Sequence, residues 1–174
     1  MRGRRAALCA VLCAAALLLP EVYLQDDGEN LLFFDGVCNL CDGFVTFVAD
    51  HDATERVRFG AIQRHGDRMR ALGAETFAEG GSEALTTVVL IQDGAVFTKS
   101  SAALRTIALL DRPWRYLAAL YIIPEALRDA GYRFIAMHRY RVFGQSHYCR
   151  APTPRFLRRF LDAGDEAAKP AWAS

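Results

Sequence analysis

The stretch LLFFDGVCNLCDGF, residues 31–44, decides the reading of this chain. Its first four residues are an unbroken apolar run, which fits a short buried strand over Leu31–Asp35. Asp35-Gly36 is a turn-forming pair that ends it. Beyond the turn, Leu40, Phe44, Phe47 and Val48 recur at i, i+4, i+7 and i+8, the stripe of a helix that runs from about Asn39 to Asp50. Gly43 sits inside that helix at a cost of about 1 kcal/mol relative to Ala, which hints at a close backbone approach there. Cys38 therefore falls at the junction of strand and helix, and Cys41 one turn further on.

Working outward, Val57, Phe59 and Ala61 alternate with Arg58 and Gly60 in a second strand over Arg56–Ile62. A helix over Arg64–Leu72 stops at Gly73, and AETFAEGGSEAL reads as a loop. Thr86–Gln92 and Ala95–Thr98 are strands joined at Asp93-Gly94, the strongest hairpin signal in the chain. Ser100 or Ser101 is expected to cap the following helix. Two further helical stretches are broken at Pro124, and Thr153–Leu161 reads as a short amphipathic helix. Strand, helix, strand, helix and hairpin make a parallel βαβ unit with antiparallel strands added. The expected fold is α/β: a thioredoxin-like mixed sheet flanked by helices, with additional C-terminal helices.

The placement of the two cysteines gives them a chemistry. Residues at i and i+3 share a helix face, so the two sulfurs can meet. The free amides and dipole of the first turn favour a thiolate at Cys38. A thiolate is the species that attacks a disulfide. Cys38 is thus expected to attack and form a mixed disulfide, and Cys41 to resolve it. Asp35 and Asp42 oppose the thiolate by like charge, so Cys38 is not expected to be extremely acidic. Asp35 could also accept the proton of Cys41 during resolution.

A metal site is the rival reading. Cys38, Cys41, His147 and Cys149 would supply three sulfurs and a nitrogen to a structural zinc, although H-x-C is tighter than the usual second ligand pair. The remaining histidines, His51, His65 and His138, show no partner pattern, and nothing calls for an organic cofactor. Cys9 and Cys13 lie in an apolar leader, so three cysteines remain in the domain, too few for a disulfide-stapled fold.

The 174 residues, 52% apolar and 24% charged, suit one globular domain with net charge +1. Charge is unevenly spread: nine acids and no Lys or Arg between Glu21 and Glu55, eight Arg and one Asp between Arg128 and Phe160. The two ends thus form faces of opposite sign, the basic one suited to an acidic partner or membrane headgroups. No nucleic-acid motif accompanies the arginines, and no nucleic-acid partner is expected. MRGRR followed by AALCAVLCAAALLL has the charged start and apolar middle of a signal peptide, without a clear cleavage site. Residues 1–25 are therefore expected to be a targeting or anchor segment, residues 26–163 the domain and residues 164–174 a flexible tail. The address points to the secretory pathway or an organelle, mitochondrion or plastid, with membrane association possible through the leader.

Beyond these local signals, LLFFDGVCNLC resembles the opening of the DCC family of thiol-disulfide oxidoreductases, named for D-x-x-C-x-x-C, here Asp35, Cys38 and Cys41. The likeness continues through VRFGAIQ, TTVVLIQDGAVFTKSSAALR, Ile123-Pro124 and GYRFIAMHRYRVFG, roughly residues 30–150. It implies a thioredoxin-like fold and dithiol-disulfide activity at Cys38 and Cys41, with a disulfide-containing protein or small thiol as substrate. Arg139, Tyr140, Phe143 and Gly144 fit the family pattern, and His138 departs from it where asparagine is usual. Thioredoxins place a cis-proline before the third strand; here Leu85-Thr86-Thr87 fills that stretch. Thr87, Ser100 and Arg139 are the expected substrate contacts.

Overall fold

The computed structural model describes residues 29–74, 87–144 and 158–161. Strand β1 (Asn30–Phe34) lies inside a four-stranded sheet of order β2-β1-β3-β4. It pairs in parallel with β2 (Val57–Ala61) and antiparallel with β3 (Val89–Gln92), which forms a hairpin with β4 (Ala95–Thr98). Because β1 is flanked on both sides and covered on both faces, all five of its residues are buried. That is why its sequence shows a continuous apolar run rather than alternation.

The alternation of strand side chains divides the core in two. Leu32 and Phe34 face one apolar cluster with α1 (Asn39–Asp50), while Leu31 and Phe33 face another with Met69 of α2 (Gly66–Ala71). Helix α3 (Lys99–Ala108), a 3-10 helix (Trp114–Ile122) and α4 (Glu125–Phe143) follow in order. The mixed sheet flanked by helices, with helices added at the C-terminal side, is the α/β arrangement expected of a thioredoxin-like domain.

The hairpin turn has Asp93 and Gly94 at φ 51° and 75°, the left-handed pair that a primed two-residue turn demands. Gly60 is a packing requirement of a different kind. A Cβ there would lie 2.9 Å from the Phe33 ring and from His65.

Three local expectations change. Neither Ser100 nor Ser101 caps α3: β4 runs straight into the helix, the cap position is Thr98, and Lys99 takes up the bend at φ 54°. Gly43 faces open space, with nothing within 4 Å of the point where a methyl group would stand, so close approach does not explain it. Of the amphipathic helix expected over Thr153–Leu161, residues 158–161 form a turn and a bridge instead. Phe160 pairs in parallel with Phe59, and Arg159 is buried against Asp52 at 2.5 Å. The earlier part of that stretch lies outside the described residues, as do Thr86, His147, Cys149, the leader and the tail.

Candidate active site

Cys38 occupies the N-cap position of α1 with extended backbone (φ −95°, ψ 117°), and Cys41 lies in the first turn. The turn is closed by Cys38 N–H donating to the Asp35 carbonyl at 3.3 Å and Asp42 N–H donating to the Cys38 carbonyl at 2.9 Å. Both sulfurs are free thiols, 1% and 6% exposed. They sit on the apolar cluster beneath α1.

Asp35, the last residue before the turn, is also buried, and its carboxylate is fully engaged. Oδ1 accepts from Gln63 Nε2 at 2.8 Å and from the Val37 N–H at 3.2 Å. Oδ2 accepts from Arg139 Nη2 at 2.7 Å and from the Tyr140 hydroxyl. Arg139 reaches this position from α4, 104 residues later in the chain. Its Nη2 lies 2.6 Å from the Tyr140 hydroxyl, and its Nη1 points at Cys41 Sγ, 3.7 Å away. The ion-paired side chains are 3% and 0% exposed. A buried guanidinium thus links the carboxylate to the second sulfur, and its charge is balanced where it lies.

These surroundings split the two thiols. Cys38 is lowered from 9.0 to about 6, first by a hydrogen bond from the Cys41 side chain. Burial works against that shift, while the Cys41 and Leu40 backbone amides and the positive charge of Arg139 support it. Cys41 is driven far above the usual thiol range, because it donates to Cys38 and is buried beside that charge. One proton is shared by two sulfurs, and the N-terminal sulfur gives it up first. Burial raises the Tyr140 phenol, helped by its bond to Asp35, so it remains a protonated donor. Helix position favours the Cys38 thiolate as the sequence suggests, but the largest cause is its neighbour Cys41.

Beside Cys41 and Arg139 lies an apolar cleft of about 220 Å³, walled by Leu40, Phe44, Val88, Tyr132 and Ile135. The Val88 N–H, at the place that precedes the third strand, is taken by the Tyr132 hydroxyl at 3.0 Å. Burial pushes the Tyr132 phenol up to about 12.

The expected site residues are thus only partly brought together. Cys38, Cys41, Asp35 and Arg139 form one cluster. Thr87 is buried next to the cleft residue Val88. Ser100 is turned to α4, where its hydroxyl meets Asp129 and accepts from Arg128 at 3.2 Å. Arg139 is committed to Asp35 and Cys41 rather than held out to solvent. Gln63 and the hydroxyl of Tyr132 were not singled out from the sequence. Gln63 lies in the VRFGAIQ segment, whose apolar pattern gave no sign that the terminal amide turns back to Asp35. Among the described residues no set of three His, Cys, Asp or Glu side chains could hold a metal. The zinc ligands considered from the sequence include His147 and Cys149, outside the described residues.

A dithiol at the N-terminus of the helix that follows the first strand, on a mixed sheet flanked by helices, defines a thioredoxin-like α/β protein. The chain belongs to the DCC1-like thiol-disulfide oxidoreductase family, whose model matches residues 32–145. It is 36% identical over 135 residues to the uncharacterized protein YuxK of Bacillus subtilis, covering 76% of this chain and 94% of that one. It is 34% identical over 128 residues to the DCC family protein At1g52590, chloroplastic, of Arabidopsis thaliana, covering 73% of this chain and 72% of that one. No solved structure gives a significant match.

Proposed function

We propose that the protein exchanges disulfides through Cys38 and Cys41. The observation that supports this most is the unequal pair itself: two adjacent free thiols, one poised as a thiolate and the other held protonated beside a buried arginine. The Cys38 thiolate attacks one sulfur of a substrate disulfide, forming a mixed disulfide and expelling the other sulfur as a thiolate that takes up a proton. Attack removes the charge from Cys38 and with it two of the effects that raise Cys41, the hydrogen bond and the like charge, while burial and Asp35 remain. Cys41 then loses its proton to solvent more readily, and Arg139 at 3.7 Å stabilises the new thiolate. Cys41 attacks Cys38, the Cys38–Cys41 disulfide forms, and the substrate's second sulfur leaves as a thiolate. Two electrons have passed from protein to substrate, and the reverse sequence oxidises a dithiol.

Asp35 serves this step as a positioning residue. Among the described residues its hydrogen bonds go to Arg139, Tyr140, Gln63 and Val37, and Arg139 rather than Asp35 touches Cys41. The carboxylate therefore acts through the guanidinium it holds. The substrate is a disulfide carried by a protein or small thiol, with an apolar group beside its sulfur to fill the cleft next to Cys41. The chloroplastic name of the Arabidopsis relative supports an organelle as the compartment, with residues 1–25 as the address.

The test is adduct trapping. Cys41→Ser challenged with oxidised glutathione should accumulate one glutathione on Cys38, seen by peptide mass, whereas the wild type should pass on to the internal disulfide. An adduct on neither sulfur, or equal adducts in both proteins, would contradict the mechanism.

A further inference from the structure

We propose that the outer face of α4, with the adjoining 3-10 helix, docks on an anionic membrane surface. This goes beyond the dithiol chemistry and does not depend on it.

The hydrophobic face is anomalous in its placement. Among the described residues, every exposed large hydrophobic side chain falls between Tyr116 and Phe143. Ile122 is 77% exposed, Leu127 66%, Met137 70% and Val142 68%. At about 100° per residue, Leu127, Phe134, Arg141 and Val142 fall within roughly 100° of arc on α4. Arg139, about 60° round the helix from Val142, is buried. Helix α4 thus turns its large apolar side chains to solvent and a buried arginine to the core, and an exposed patch of this kind marks an interaction surface.

Charge selects the occupant. From Arg112 to Phe143 the chain has six arginines against Glu125 and Asp129. Arg139 is balanced by Asp35, and Asp129 is turned to Ser100. Arg112, Arg133 and Arg141 are exposed among the apolar side chains. Apolar groups that enter the acyl boundary, ringed by arginines that meet headgroups, fit a helix lying in an interface. A second copy of this face would instead set arginines against arginines. The same chain carries the apolar run Ala6–Leu19, which as an anchor would bring the described domain close to a bilayer. No described helix is itself long and apolar enough to cross one. Ile135 belongs both to the exposed face and to the wall of the cleft, so the mouth of the cleft would lie at the membrane edge.

Methionine oxidation tests docking of this face even if the leader tethers the chain. Met137 is exposed, whereas Met69 is buried and serves as the internal control. The full chain is given a brief peroxide pulse alone, with phosphatidylcholine vesicles, and with vesicles containing phosphatidylglycerol, and each methionine is read by peptide mass. Docking predicts that anionic vesicles slow Met137 oxidation by about fivefold or more, with Met69 unchanged. The doubly reversed variant Arg133→Glu, Arg141→Glu should lose that protection while its far-UV spectrum and Cys38–Cys41 couple stay as in the wild type. Unprotected Met137 on vesicle-bound protein would overturn the proposal. So would protection that appears without vesicles and grows with protein concentration, which would assign the face to a second copy.

Discussion

Removing the Cys41 sulfur should raise the pKa of Cys38 sharply. The largest cause that lowers Cys38 from 9.0 to about 6 is the hydrogen bond from Cys41, while burial pushes the other way. A thiol at about 6 is roughly 90% thiolate at pH 7, and one at 9 about 1%. In Cys41→Ala the donor is gone, while burial on one side and the Cys41 and Leu40 amides and Arg139 on the other remain, so the midpoint should climb well above 6, toward 9. A full return to 9 would correspond to about 4 kcal/mol of thiolate stabilisation, at about 1.36 kcal/mol per pH unit, and the remaining amides and Arg139 keep the loss below that. Cys41→Ser keeps a donor at the same place and should fall between the two. Thiolate absorbance near 240 nm, followed against pH with Cys38→Ser as the blank, reads the midpoint without requiring a reagent to reach a buried sulfur. A wild-type midpoint near 9, or a Cys41→Ala midpoint equal to the wild type, would refute the hydrogen-bond account of the acidic thiol.

Other consequences concern stability. Arg139→Met leaves the Asp35 carboxylate buried without its cation and should cost about 3–5 kcal/mol in urea unfolding, whereas Asp35→Asn with Arg139→Met should recover a clear part of that loss. The reduced protein should gain about 3 kcal/mol between pH 6 and pH 9, because a depressed Cys38 stabilises the fold above its unfolded pKa and loses that contribution as pH falls through about 6. The raised Cys41 opposes this gain only above pH 9, and the disulfide form should show no such slope. Gly43→Ala should stabilise the protein by about 0.5–1 kcal/mol, since its methyl meets open space, while Gly60→Ala should destabilise it through the Phe33 ring 2.9 Å away.

How much of this was legible depended on the range of the interactions. Strand β1, helix α1 and the cysteine pair lie within about twenty residues, and their periodicity and turn chemistry sufficed to place them. The hairpin was equally plain, because Asp93-Gly94 is a local conformational demand. Arg139 was different. A lone arginine in a basic helix gives no sign that it will be buried, and its partner Asp35 lies 104 residues away. The family likeness marked Arg139 and Tyr140, but their joint grip on Asp35 emerges only when α4 packs on α1. Ser100 misled for the opposite reason: a serine near a helix start is a good cap by local rules, yet β4 continues directly into α3 and leaves the hydroxyl to Asp129.

The central claim is that Cys38 and Cys41 form a reversible two-electron couple. Equilibrating the full chain across a glutathione series, quenching in acid and alkylating for mass analysis tests it most directly. The account predicts one sharp transition in which both thiols disappear together, absent from Cys38→Ser and Cys41→Ser. Thiols that stay reduced throughout, or become reactive only after a chelator is added, would contradict it and return the pair to a structural or metal-binding role.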